Sequence, residues 1–213
     1  MKHNKKNLLN EWNKFIIESE TSGVIVAFYG PTGSGKSTIR NLFHKYDKDW
    51  VKIKSYTTRQ IKPDEADEYQ QISKMQFDEL DKMNKLINVN KFIGASYGID
   101  KDKLKEKELK HGVIITDASS IPQLKREVQQ LGKRIFVIYV TADRGTLETR
   151  QSKRIGKRYD PESEEYEKRM DQLNTELDLE KKRKLHADEI IFTDKDGTSK
   201  EEIFELADKL KEI

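Results

Sequence analysis

Short runs of apolar, largely β-branched residues punctuate a chain that is otherwise densely charged. They fall at Val24–Tyr29, Val51–Tyr56, Val113–Thr116, Ile135–Val140 and Glu189–Phe192, each bounded by Gly, Asp or Lys. Near-continuous apolar runs of this length predict strands of a parallel sheet covered on both faces. The intervening segments predict helices over Lys36–Lys45, Lys101–Lys110, Pro122–Leu131, Asp143–Arg154, Glu162–Leu185 and Ser199–Lys211. Strands alternating with helices make βαβ units, so the expected fold is α/β: a three-layer, doubly wound parallel sheet.

The alternation fails between Thr57 and about Ile99, where short mixed segments replace a single crossover helix. The expected organisation is one domain. Residues 23–56, 100–149 and 185–213 form its core, 57–99 an inserted subdomain, and 150–184 a helical lid with the helix that follows it. The charged stretch from Arg150 to Glu167 is the expected mobile loop. Ahead of the core, residues 1–22 carry Leu8, Leu9, Trp12, Phe15 and Ile16 at roughly helical spacing. They read as an amphipathic helix lying on the domain, because the continuous apolar core of a signal peptide is missing.

Composition narrows the classes. At 213 residues the chain is long enough for a real core, although only 34% is hydrophobic and 37% is charged. The 41 basic and 38 acidic residues leave a net charge of +3, too small a field to argue for a nucleic acid partner. No apolar run approaches the ~20 residues of a membrane span. With no cysteine there are no disulfides and no thiol chemistry, which agrees with a reducing, cytoplasmic setting, and the four histidines make no metal pattern.

The strongest chemical signal follows the first predicted strand: Gly30-Pro31-Thr32-Gly33-Ser34-Gly35-Lys36-Ser37, then Thr38 and a helix. This is the G-x-x-x-x-G-K-S phosphate loop. Its glycines let successive backbone N–H groups turn inward as an anion nest, and the helix adds the positive end of its dipole. Lys36 reaches the outer phosphates of ATP, and Ser37 is placed to ligate the Mg²⁺ that bridges them. The loop alone does not separate ATPases, GTPases and small-molecule kinases.

A second anion pocket is suggested by Ser55-Tyr56-Thr57-Thr58-Arg59, followed by Lys62, Glu65 and Tyr69 and later by Ser96-Tyr97-Gly98. Arg forks onto phosphate oxygens and Tyr donates without adding charge, so these residues suit a phosphorylated acceptor. The inserted subdomain is then an acceptor-binding one.

In this order of motifs the chain resembles the guanylate kinase family, from about Val24 to its end. The phosphate loop, the S-x-T-T-R segment, the Tyr-Gly turn and two lid arginines, Arg150 and Arg154, all appear in sequence. Arg169 matches the next lid-side arginine, and Glu176 the glutamate seven residues later. The resemblance implies a P-loop nucleoside monophosphate kinase that uses ATP and Mg²⁺. In it Ser55, Arg59, Lys62, Tyr69, Asn88, Tyr97 and Asp117 would hold the acceptor, while Lys36, Arg150, Arg154 and Arg169 would serve the transferring group. Monomer and homodimer are both compatible with it.

The chain departs from the family where the guanine is read. Asn88 stands where the family has a glutamate, and Ile99 where it has Ser or Thr. Lys62 replaces a second arginine, and Asp117-Ala118-Ser119 replaces D-x-D. These changes reduce discrimination by paired polar groups. The resemblance keeps GMP as the first expected acceptor, with another small phosphorylated acceptor such as ribose 1,5-bisphosphate as the alternative. A catalytically inactive interaction module of the same fold is the third reading.

Overall fold

The computed structural model describes residues 23–92, 94–106, 108–155 and 164–212. Its centre is a five-stranded parallel sheet made of β1 (Val24–Tyr29), β2 (Trp50–Lys52), β7 (His111–Ile115), β8 (Arg134–Thr141) and β9 (Glu189–Phe192), in the order β2-β7-β1-β8-β9. All six residues of β1 are buried. Successive side chains point to opposite faces, and both faces are covered by helices. Val24, Val26 and Phe28 meet Ile39 and Phe43 of α1 (Lys36–Tyr46) and Ile203, Ala207 and Leu210 of α8 (Lys200–Glu212). Ile25, Ala27 and Tyr29 meet Ile121, Leu124 and Val128 of α4 (Ile121–Gln130). Each Val, Leu, Ile or Phe among them contributes roughly 1.5–3 kcal/mol by leaving water, so the three-layer core expected from the apolar runs is what holds the molecule together.

The run over Val51–Tyr56 is not the single strand expected. Trp50–Lys52 pairs with β7 in the core, whereas Ser55–Thr57 forms β3 of a second, four-stranded sheet ordered β4-β3-β6-β5. The hand-over is visible in the backbone, where Ile53 N–H donates to the Val113 carbonyl and Ser55 N–H to that of Glu68. An apolar run reports burial but not which sheet buries it.

This second sheet comprises β3, β4 (Tyr69–Gln71), β5 (Leu86–Phe92) and β6 (Ala95–Asp100), with α2 (Lys74–Lys82) against it. It fills the interval where the alternation failed. The helix α3 (Lys101–Lys105) stops well short of Lys110, because Glu106 is extended at ψ 129° and Leu104 and Leu109 are both buried at a spacing that one helix face does not supply.

The long helix expected over Glu162–Leu185 is described as α6 (Glu164–Asp178) and α7 (Glu180–Lys184). It packs on α5 (Arg144–Ile155) through Leu147 and Leu173. The loop expected from Arg150 to Glu167 is helical as far as Ile155 and again from Glu164. Its residues 156–163, like the N-terminal residues 1–22, lie outside the described residues. Among the described residues no helix is long and apolar enough to cross a membrane.

Candidate functional site

Open parallel sheets bind ligands beyond the carboxyl ends of their strands, where the strand order reverses. Here that place is the end of β1 and β7, and the phosphate loop leaves β1 there. Gly30 has φ 143°, and a Cβ on it would sit 2.0 Å from the Val140 carbonyl oxygen, so no side chain fits. Gly33 and Gly35 adopt φ 87° and 92°, the left-handed region that glycine enters without strain. Gly35 precedes α1, whose first turn leaves the N–H groups of Lys36, Ser37 and Thr38 without helical partners. Lys36 Nζ donates to the Gly30 and Pro31 carbonyls at 2.9 and 2.8 Å.

The loop is gripped from outside by the two helices that flank residues 156–163. From α5, Arg150 donates to the Gly33 carbonyl at 3.2 Å and to Thr193 Oγ1 and the Thr193 carbonyl at 2.7 and 2.6 Å, while Thr193 Oγ1 donates to the Ser34 carbonyl. From α6, Glu176 accepts from the Thr32 backbone N–H at 2.7 Å and from Thr32 Oγ1, with Gln172 Nε2 donating to both partners. Gln151, fully buried beside Gly33, finds no hydrogen-bond partner for either end of its amide among the described residues, and Ser34 Oγ is in the same position.

On the acceptor side, β3 and β6 bring Arg59 and Tyr97 together, and β4 pairs with β3 to add Tyr69. Arg59 donates through Nη1 and Nη2 to both oxygens of Glu65, at 2.7 and 2.9 Å, and through Nε to Tyr97 Oη at 3.1 Å. Its guanidinium lies 5.1 Å from the centre of the Tyr69 ring, and the two tyrosines meet edge to face. The Glu65 hydrogen bonds hold the Arg59 guanidinium more firmly protonated than usual, and Arg59 in turn holds the Glu65 carboxyl below its ordinary range. Burial, reinforced by Glu68, pushes Tyr69 up to about 12, so at neutral pH its phenol is a donor. Ser55 is buried at the start of β3.

At the far end of this pocket Asn88 is buried at φ 53°, where β5 shifts register. Asparagine tolerates that conformation better than other non-glycine residues. Thr116 Oγ1 donates to the Asn88 carbonyl oxygen, and Asn88 N–H donates to Glu127. Ile99, which stands where the family has Ser or Thr, is fully buried in the core and pairs with Ile87 across β5 and β6. Asp117 accepts from the N–H and hydroxyl groups of Ser119 and Ser120 and from Asn90.

One cleft of about 1350 Å³ joins the two sides: Gly30, Thr32, Lys36, Ser55, Arg59, Tyr69, Asn88, Tyr97 and Asp117 all line it. The rest of the predicted site is placed differently. Lys62 is exposed and outside the lining, and what it contributes is a backbone N–H to Glu65. Arg150 faces the loop carbonyls. Ser37 is half-buried and Thr38 exposed in the first turn of α1. Arg154 and Arg169 lie on α5 and α6, and their side chains fall outside what is described. The cleft also contains Lys168, Gln172, Lys182 and His186, which the sequence reading missed. They carry no motif, and only the return of α6 and α7 over the sheet brings them there. A smaller hollow of about 510 Å³ at the ends of β8 and β9 includes none of the predicted site residues.

Among the described residues no group of three or more His, Cys, Asp or Glu could hold a metal. Mg²⁺ is normally held by one or two protein oxygens together with nucleotide phosphates, and Ser37, in the first turn of α1, carries a hydroxyl oxygen of that kind.

A strand, a glycine-rich turn and a helix within a doubly wound sheet, facing a second cationic pocket, define a P-loop protein of the kinase type. Residues 22–195 match the guanylate kinase family model, and the chain belongs to that family. Over 79 residues it is 34% identical to guanylate kinase of Lactiplantibacillus plantarum, a match that spans 36% of this chain and 38% of that relative's length. Over 195 residues it is 25% identical to guanylate kinase of Wolbachia pipientis, covering 89% of this chain and 92% of the relative. The crystal structure of guanylate kinase from Anaplasma phagocytophilum superposes with a TM-score of 0.59 at 18% identity, covering 90% of this chain and 84% of that one. This last likeness concerns the fold.

Proposed function

We propose that the protein transfers the terminal phosphoryl group of ATP to a nucleoside monophosphate, with GMP as the first acceptor. The observation that carries this reading is the continuity of the cleft, which has the phosphate loop and Lys36 at one side and Arg59, Tyr69 and Tyr97 at the other. Transfer breaks the bond between the terminal phosphorus and its bridging oxygen and forms one to an acceptor phosphate oxygen. It asks a protein for alignment and positive charge, with little covalent chemistry. Lys36 and the loop amides stabilise the outer phosphates of ATP, and Ser55, Arg59, Tyr69 and Tyr97 hold the acceptor phosphate in line. Arg154 and Arg169 would supply positive charge to the transferring group, as the family resemblance implies, and Arg150 fixes the loop through the Gly33 carbonyl. Ser37 would help to hold Mg²⁺, which when bound would supply neutralisation of phosphate charge. The family membership and the named relatives support this reading.

The test is a coupled assay of ADP release with each nucleoside monophosphate in turn. Release that requires GMP, with GDP as the second product, is expected, and ADP release that no nucleoside monophosphate stimulates sinks the proposal. Asn88 favours a second reading within the same class. Its side-chain oxygen Oδ1 already accepts from Thr116, so this position offers an uncharged acceptor that is in use. A mass-spectrometric screen for phosphorylated products from other small phosphate esters, including ribose 1,5-bisphosphate, separates the two.

A further inference from the structure

One peptide unit of the phosphate loop is held at both ends by charged side chains. The N–H of Thr32 donates to the Glu176 carboxylate at 2.7 Å, and the carbonyl of Pro31 accepts from Lys36 Nζ at 2.8 Å. In a trans peptide these two groups point in opposite directions. The Pro31–Thr32 unit therefore lies with its dipole between an anion and a cation, and its orientation is fixed by both. Glu176 is itself anchored, since Gln172 one helical turn earlier donates to its Oε1 and α6 packs through Leu173 on Leu147 of α5.

The orientation matters because the loop around this peptide is pinned. Gly30 is wedged against Val140, Lys36 begins α1, and the Ser34 N–H donates to the Pro31 carbonyl at 3.1 Å, whereas the Thr32 N–H relies on Glu176. On the far side of the loop, Arg150 and Thr193 take the Gly33 and Ser34 carbonyls outward. By the same trans geometry the Gly35 N–H is turned away from those outer partners, toward the phosphate side. At Thr32 the polarity is reversed: Glu176 takes the N–H outward, which keeps the Pro31 carbonyl on Lys36 Nζ. Without Glu176 the Pro31–Thr32 peptide can turn over, and Lys36 loses that anchor.

We propose that Glu176, backed by Gln172, is a positioning residue for the nucleotide: it locks the Pro31–Thr32 peptide and so presets the approach of Lys36 to the phosphates. The inference rests on the ATP half of the proposed activity and is independent of the acceptor's identity. A carboxylate near the phosphates would ordinarily oppose them. Here its oxygens are engaged by the Thr32 amide, the Thr32 hydroxyl and the Gln172 amide, so the group acts as a hydrogen-bond acceptor. A Gln of the same shape keeps an oxygen for the Thr32 N–H, and its NH2 can donate to Gln172 once that amide turns over.

The experiment is isothermal titration of the full chain with Mg²⁺ and a non-hydrolysable ATP analogue. Glu176→Ala is expected to weaken binding about tenfold or more, Gln172→Ala about two- to threefold, and Glu176→Gln to restore the affinity to within about threefold of the parent. The Thr32 amide proton, followed by NMR, should shift upfield in Glu176→Ala and stay near its parent position in Glu176→Gln. This readout does not depend on nucleotide, and thermal melts establish that each variant is folded. A folded Glu176→Ala protein with parental affinity and an unmoved Thr32 resonance overturns the proposal, as does a Gln variant no better than Ala. Failure of the parent protein to bind the analogue would instead remove the ATP reading itself.

Discussion

The two halves of the cleft are built on different principles. The half proposed for ATP is eight consecutive residues, shaped by glycines and clamped from outside by Arg150, Thr193 and Glu176. The acceptor half is made of side chains from separate strands, held by the two-pronged Arg59–Glu65 pair and by Tyr69 and Tyr97. A buried Arg40 on α1, 1% exposed, ties them together by donating to the Asp67 carbonyl just before β4. The contrast suggests where change is tolerated. A backbone nest recognises any polyphosphate and depends on three glycines and a lysine, whereas a side-chain pocket can be altered residue by residue without disturbing the loop.

The comparison is broken most severely at its shared residue. Lys36→Ala should reduce kcat by about 10²–10³-fold or more with every acceptor, since it removes charge stabilisation from the transferring group; steady-state turnover measures this. Arg59→Lys should instead act on one half only. It keeps the charge but loses the fork, so the acceptor KM should rise roughly 10- to 100-fold while affinity for the ATP analogue stays unchanged.

Asn88→Glu sharpens the contrast at the base-reading end. GMP use should improve about fivefold through a regained charged acceptor, while chemical denaturation should show a stability loss of ~1 kcal/mol because φ 53° suits Asn and not Glu. Gln151→Leu should stabilise the protein by ~1 kcal/mol, since it removes a fully buried amide that has no partner among the described residues; the melting temperature reports it.

The smallest effect is at alkaline pH. The Tyr69 pKa is raised from 10.0 to about 12 by burial, so the folded state keeps a proton that the unfolded chain has lost. Stability is full below pH 10 and falls as pH rises toward 12. Tyr69→Phe should flatten that limb in denaturation curves recorded across the interval.

Legibility divides along the same line as the site. The phosphate loop could be read because an anion nest needs specific residues at fixed spacing in one continuous turn. The core strands were legible because burial on both faces demands unbroken apolar runs, as in Val24–Tyr29. Arg59, Tyr69 and Tyr97 were found through the order of motifs along the chain, but their mutual geometry was not. The split of Val51–Tyr56 between two sheets, the inward turn of Ile99 and the stop of α3 at Lys105 were illegible. Each depends on which distant segment supplies the hydrogen bonds or the core.

What the amino-acid order determined by itself was the set of locally encoded features: the β1–loop–α1 unit, the apolar strands and the family to which they belong. What the tertiary structure decided was who meets whom. It brought Glu176 onto Thr32 across 144 positions, turned Arg150 toward the loop carbonyls, left Lys62 outside the cleft and fixed Asn88 in a left-handed bend against Thr116. The physical reason is range. Backbone conformation and periodic burial are set by neighbours along the chain, whereas hydrogen-bond partners are set by packing, and packing is settled only when all the elements are in place.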